Sequence, residues 1–306
     1  MTNGVHVTLD ELIALRRYAE RSQYSSCSKA SRTGSQVTKW RGRGMDFTEV
    51  RNYQAGDDIR HMEWRVTART GRPHIKLYQE ERERPVIIVT DFSSSMYFGT
   101  RIAFKSVVAA RLAAVLAWTA VAQGDRVGAL LFSAQQHNEF IPRGRQRGVL
   151  PLLGALSHYT QDVHAQMSKA VPHPSSLGFA LARVRRVAKP GSILILISDF
   201  YRLDAEGERH LSRLREHNDI LAYTICDPLE MAPPEPERYA ISDGQHEVLF
   251  DMREQKQRQI YAQYCQERLQ GLQKQFQGWQ IPSFEVTAET DLALMVRQSF
   301  PRRAHA

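Results

Sequence analysis

The chain has little cysteine. Cys27, Cys226 and Cys265 lie far apart with no Cys-x-x-Cys spacing, which excludes a disulfide framework and a thiolate zinc site and makes a reducing, cytoplasmic setting the expectation. The eleven histidines include no His-x-x-x-His pair and read as surface or loop residues. There is no Gly-x-x-x-x-Gly-Lys-(Ser/Thr), so the chain is not itself a P-loop ATPase, and no Gly-x-Ser-x-Gly elbow marks a serine hydrolase. Long apolar runs are missing too. The longest weakly polar stretch, Val107 to Ala122, carries Arg111, and no membrane span is expected. Met1 to His6 has no charged start followed by an apolar run, so no secretory signal is expected.

What is present is an ordinary globular composition over 306 residues, with 41 basic against 33 acidic residues and a net charge of +8. A moderate basic balance admits nucleic acid or an acidic protein face as partner. Arg41, Arg43 and the loop Arg143-Gly144-Arg145-Gln146-Arg147 are the candidates for a nucleic-acid surface, but no aromatic interleaving or known module accompanies them. Nucleic-acid binding therefore ranks third among the functional readings.

Periodicity organises the rest. Thr8 and Glu11 have capping-box spacing ahead of a helix over about 9 to 21, and residues 22 to 44 form a basic, Ser- and Gly-rich loop. From 85 to 227 apolar runs and amphipathic segments alternate: strands over 86–90, 125–132, 193–198 and 221–226, a possible edge strand over 137–142, and helices near 101–123, 146–157, 177–188 and 204–217. That alternation predicts an α/β, doubly wound, mostly parallel sheet buried on both faces. A hairpin centred on Asp243-Gly244 and a Gln-rich helix form an insertion at about 228–277, after which a strand near 284–287 and a helix near 292–300 close the domain. The division expected is 1–84 as an N-terminal helix, basic loop and further segment, and 85–306 as the α/β domain.

The most chemically loaded stretch is Val86-Ile87-Ile88-Val89-Thr90-Asp91-Phe92-Ser93-Ser94-Ser95-Met96, a buried strand delivering one carboxylate and several hydroxyls to its own tip. Open parallel sheets bind ligands outside the carboxyl ends of their strands. Asp91, Ser93 and Ser95 in a tight turn offer part of an octahedral shell of hard oxygens for Mg²⁺, with Mn²⁺ as the alternative. A second apolar run, Ile193 to Ile197, ends in Ser198 and Asp199, and Asp199 supplies a further charge. Between them Ser175 and Ser176 precede an apolar helical pattern, and either offers another hydroxyl. The bland alternative is that Asp and Ser at strand ends only satisfy local backbone groups.

Asp91-x-Ser93-x-Ser95, the later hydroxyl and the still later Asp199 resemble the metal-ion-dependent adhesion site of von Willebrand factor A domains. That family places Thr where Ser175-Ser176-Leu177 stands here, so the resemblance favours Ser175, with Ser176 as the fallback. A second resemblance covers residues 47 to 69. Arg51, Tyr53, Gly56, Asp57, Asp58, Arg60, Glu63, Trp64, Thr67, Ala68 and Arg69 fit, in one register, the signature of domain-of-unknown-function family fifty-eight, whose members carry a von Willebrand factor A-like domain. Read physically, Gly56-Asp57-Asp58 is a turn leading into a helical turn with Arg60 and Trp64 on one face, Trp64 buried and Arg60 paired with an acid.

The resemblance implies a protein-binding module rather than an enzyme: Mg²⁺ on Ser93, Ser95 and Ser175, with Asp91 and Asp199 bound directly or through water, and an open position for an acidic side chain of a partner. It further implies an adaptor for a MoxR-type AAA+ ATPase or its client in assembly, maturation or stress response. The enzymatic alternative, metal-dependent phosphoryl transfer or hydrolysis, lacks a positioned acid or base, because Ser93 stands where an aspartyl-nucleophile site needs a second carboxylate.

Overall fold

The computed structural model describes residues 4–20, 45–54, 56–80, 84–161, 177–242 and 247–300. These form two compact units, one built from 4–20 and 84–300 and the other from 45–80.

In chain order the elements begin with α1 (Leu9–Ala14) and α2 (Arg16–Glu20), which break the expected single helix at Leu15. Thr8 caps α1 by accepting from the Glu11 amide at 3.2 Å. The Glu11 carboxylate does not complete a capping box; it pairs instead with Arg111 at 2.7 Å. Leu12 and Val7 are fully buried, the Val7 amide donates to Thr160 Oγ1 at 3.1 Å, and Trp118 Nε1 donates to the Leu12 carbonyl at 3.0 Å. The N-terminal helix therefore belongs to the core of the α/β unit. It does not group with the signature segment as the division at 84 expects, because its apolar face finds its partners there.

The second unit pairs β1 (Met45–Asn52) with β2 (His74–Glu80) in antiparallel register, Asn52 opposite His74, with a bulge between Phe47 and Glu49. Between them a 3-10 turn (Ile59–His61) and α3 (Trp64–Thr70) are each capped by an acid of the signature: Asp58 accepts from the Arg60 amide at 3.1 Å and Glu63 from the Arg65 amide at 3.2 Å. Arg51 pairs with Asp57 at 2.7 Å, and Gly56 takes φ 107°, a conformation that a side chain would oppose. Lys76 pairs with Glu63 at 2.5 Å. Arg60 pairs with Asp58, but the two helical pieces separate it from Trp64. Trp64 is 65% exposed, against the expectation of burial: it opens the first turn of a seven-residue helix in a unit where, among the described residues, Ile75 is the buried apolar side chain. Tyr53 donates its amide to Pro73, and Arg69 lies exposed in the last turn of α3.

The α/β unit continues with β3 (Pro85–Asp91), a 3-10 turn (Ser94–Met96), α4 (Lys105–Ala122), β4 (Arg126–Phe132), β5 (His137–Gly144), α5 (Gln146–Gln161), α6 (Leu177–Val187), β6 (Ile193–Ser198), α7 (Ala205–Arg215) and β7 (Asp219–Ile225). It closes with α8 (Pro228–Met231), the hairpin strands β8 (Arg238–Ser242) and β9 (Glu247–Asp251), α9 (Gln255–Gly278), β10 (Ser283–Val286) and α10 (Leu292–Ser299). The six-stranded sheet has order β10-β7-β6-β3-β4-β5, parallel except for β5 at one edge, as the alternation predicts. The hairpin forms its own two-stranded sheet; its tip at Asp243-Gly244 lies outside the described residues.

Strand periodicity builds the core on two faces. Val86, Ile88, Ile193, Ile195 and Ile197 face a cluster with α4, α5 and α1, while Ile87, Val89, Leu194 and Leu196 face a cluster with α6, α7 and α9. α4 is long and apolar enough to cross a membrane, with mean hydropathy 1.5, and 83% of it is buried inside this unit. In the basic loop, Arg143 ends up in β5 and Arg145 in the left-handed turn that starts α5; Arg41 and Arg43 lie outside the described residues.

Candidate functional site at the tips of two central strands

From β3 the chain proceeds to β4 on one side, and β6 is later laid down on the other. The crevice between the carboxyl ends of β3 and β6 is thus the switch point of the sheet, where open α/β folds bind ligands. Thr90 pairs with Ile197 in register, so Asp91 and Ser198 leave adjacent strands at the same level.

Asp91 is 3% exposed. Its two carboxylate oxygens are spoken for by neutral donors: Oδ1 accepts from the Ser93 amide at 2.7 Å and Oδ2 from the Ser198 hydroxyl at 2.7 Å. Among the described residues no cation pairs with it. Burial, reinforced by the nearby Asp199 charge, pushes its pKa up to about 6. The chain then turns so that Ser93 caps the 3-10 turn, and its Oγ lies 3.2 Å from Ser95 Oγ. Ser93 is buried, Ser95 half-buried and Ser94 exposed, the last accepting from Arg202 Nη2 at 3.1 Å.

Asp199, 1% exposed, has a different environment. Its Oδ1 accepts from the Tyr201 amide at 3.1 Å, and its Oδ2 receives the ammonium of Lys105 at 2.8 Å. Lys105 is the first residue of α4, is itself 2% exposed, and reaches Glu230 Oε1 at 2.6 Å as well. Burial works against its charge, but Asp199 and Glu230 outweigh that and hold its pKa above the ordinary lysine value. Glu230 is fixed by the capping box of α8, its other oxygen accepting from the Asp227 amide at 3.0 Å. Asp227 in turn accepts from the amide and the hydroxyl of Thr100, which anchors the segment leading into α4. Arg268 from α9 donates to the Asp199 carbonyl at 2.8 Å and stacks 3.4 Å from the centroid of the Tyr201 ring.

One backbone outlier shapes this arrangement. Phe200 has φ 56°, a left-handed conformation that a bulky residue adopts at a cost. It is held there by packing edge-on against Phe276 at 4.9 Å and by its amide donating to Ser198 Oγ at 3.0 Å. The turn it makes allows the Tyr201 amide to reach back to Asp199.

The structure therefore brings Asp91, Ser93, Ser95 and Asp199 to one place. Ser175 and Ser176 lie outside the described residues. Among the described residues no three His, Cys, Asp or Glu side chains converge on a metal position, so a cation here would rest on hydroxyls and a carboxylate. The donor set of the β3 tip fits a hard divalent ion: two adjacent hydroxyls beside a buried carboxylate that no cation among the described residues neutralises. The β6 tip fits less well, because Lys105 already holds the Asp199 oxygen that a metal would need. Lys105, Glu230 and Arg268 carry no motif signal in the sequence; of the groups around the β6 tip, Asp199 alone does.

A family model described as "Protein of unknown function DUF58" matches residues 49–270. Uncharacterized protein Rv1480 of Mycobacterium tuberculosis and uncharacterized protein Mb1516 of Mycobacterium bovis are each 30% identical over 210 residues, which is 68% of this chain and 63% of theirs. The match thus spans a little under two thirds of these relatives. Among solved structures, BatB from Bacteroides thetaiotaomicron aligns over 70% of this chain and 96% of its own, at 15% identity and TM-score 0.41. A von Willebrand factor type A protein from Catenulispora acidiphila aligns over 73% of this chain and 43% of its own, at 12% identity and TM-score 0.33.

Proposed function

The chain belongs to the DUF58 family, and from that premise we propose that it is a protein-interaction module of von Willebrand factor A-like type whose binding site is the β3–β6 crevice and depends on a divalent cation. The single observation that carries this reading is Asp91: a buried carboxylate with raised pKa, no paired cation among the described residues and a hydroxyl cluster beside it, at the switch point of a parallel sheet. A bare buried charge is costly, and a bound cation is the economical remedy. Mg²⁺, or Mn²⁺, would be held by Ser93 and Ser95 with Asp91. Such an ion supplies a Lewis-acidic position able to accept a carboxylate from a partner.

The chain's own groups would do the rest. Ser198 and the Ser93 amide orient the Asp91 carboxylate, and exposed Arg202 and Tyr201 border the site. The partner proposed is a MoxR-type AAA+ ATPase or its client, in the cytoplasm, with the chain acting as adaptor and not as an enzyme. Titration of a MoxR-type ATPase against the protein should show binding with Mg²⁺ that weakens at least tenfold with EDTA and with Asp91→Asn. Equal binding under all three conditions would place recognition elsewhere on the chain.

A further inference from the structure

The two acids of this site are not equivalent, and the difference lies in one side chain outside the metal pattern. Lys105 is fully buried yet charged, and both of its partners are carboxylates: Asp199 Oδ2 at 2.8 Å and Glu230 Oε1 at 2.6 Å. Neither contact is a loose surface pair. Asp199 is 1% exposed, and Glu230 is pinned by the α8 capping box, which is itself tied through Asp227 to Thr100. The ammonium also lies 5.3 Å from the centroid of the Tyr201 ring, over which Arg268 stacks at 3.4 Å. Lys105 starts an eighteen-residue core helix, so its backbone cannot withdraw without moving α4.

We propose that Lys105 is a tethered cation that occupies the Asp199 half of the site and thereby sets its divalent-ion affinity. It is a specificity-determining residue for the site described above, and the inference rests on the metal-dependent reading of that site. The physical reasoning is short. A divalent ion gains most from formal charges within its immediate reach, and among the described residues Asp91 and Asp199 are the acids at the two strand tips. Lys105 neutralises one of them by a short charge-assisted bond, leaving Asp91 as the uncompensated charge. An ion entering this crevice therefore meets one carboxylate and neutral hydroxyls instead of two carboxylates. Low affinity, tightened when a partner adds its own carboxylate, is the consequence. Lys105 also keeps Asp199 and Glu230 from repelling each other, so the crevice can persist in its shape with no ion present.

The test is Mn²⁺ binding followed by the loss of the free-ion signal in electron paramagnetic resonance. Wild type is compared with Lys105→Met and with Lys105→Met/Glu230→Gln, the second because it removes the lysine together with the charge of its half-buried partner Glu230, leaving Asp199 as the one unmatched acid of the three. Circular dichroism confirms folding of each variant. The double variant should bind Mn²⁺ at least tenfold more tightly than wild type, and adding Asp91→Asn should abolish that gain. Equal or weaker binding by the folded double variant, with wild type still binding, would overturn the role of Lys105 while leaving the metal site intact. Absence of binding in both proteins would overturn the metal-dependent reading and this inference with it.

Discussion

The tips of β3 and β6 look alike in sequence and differ in electrostatics. Each is an apolar, doubly buried run that ends in a hydroxyl residue followed by an acid, Thr90-Asp91 and Ser198-Asp199, and the strands are neighbours in register. Yet among the described residues Asp91 is held by the Ser93 amide and by neutral serine hydroxyls, with its pKa pushed up to about 6, whereas Asp199 is matched by the ammonium of Lys105. The lesson is that a strand-end acid acquires its chemistry from what the next layer sends to it. α4 sends a cation to one tip and none to the other, so Asp199 has a counter-charge and, among the described residues, Asp91 has none.

The largest expected effect of breaking this difference is on stability at the β6 tip. Lys105→Met leaves buried Asp199 and half-buried Glu230 without their counter-charge, and removal of one partner of a buried ion pair such as Lys105–Asp199 costs about 3 to 5 kcal/mol. Urea unfolding at neutral pH should show that loss; a variant as stable as wild type would mean that the two acids are solvated in some other way.

A smaller effect sharpens the β3 tip. The Asp91 carboxyl keeps its proton up to about pH 6 when folded and releases it near 3.8 when unfolded. A raised carboxyl pKa means that its contribution is most favourable below about pH 4 and is lost as pH rises through 6, because the folded state then has to ionise a buried acid. Two units correspond to about 3 kcal/mol. In chelator, the difference in unfolding free energy between wild type and Asp91→Asn should therefore swing by that order between pH 4 and pH 7, in the direction that favours the Asn variant at the higher pH. A flat difference would show that Asp91 is not destabilised by burial.

Much of this was legible in the sequence because the relevant signals are local. The runs 86–89 and 193–197 are wholly apolar and rich in Val, Ile and Leu, so both central strands are legible nearly to the residue, and the acids at their ends follow from them. Lys105 was not legible. Its partners lie 94 and 125 residues away, and at the head of an apolar helix a lysine reads as a solvent-facing end. The one available signal was its place directly ahead of a helix too apolar to leave any face in water. The helix over 101–123 begins later than expected, at Lys105, because Phe104 is extended and its amide donates to the Gly4 carbonyl. Strand β1 was hidden inside the family signature, where a bulge between Phe47 and Glu49 breaks the alternation that would have revealed it. Trp64 misled for a different reason: an aromatic among paired charges looks like a core residue, but it sits on a short capped helix with its ring exposed.

The account stands most directly on whether Asp91 is the seat of a cation. Thermal unfolding of wild type and Asp91→Asn with and without millimolar Mg²⁺ measures this through linkage, since an ion that binds the folded state raises its melting temperature. Mg²⁺ should raise the Tm of wild type and leave that of Asp91→Asn unchanged. An equal rise in both proteins would contradict the account and place the ion away from the β3 tip.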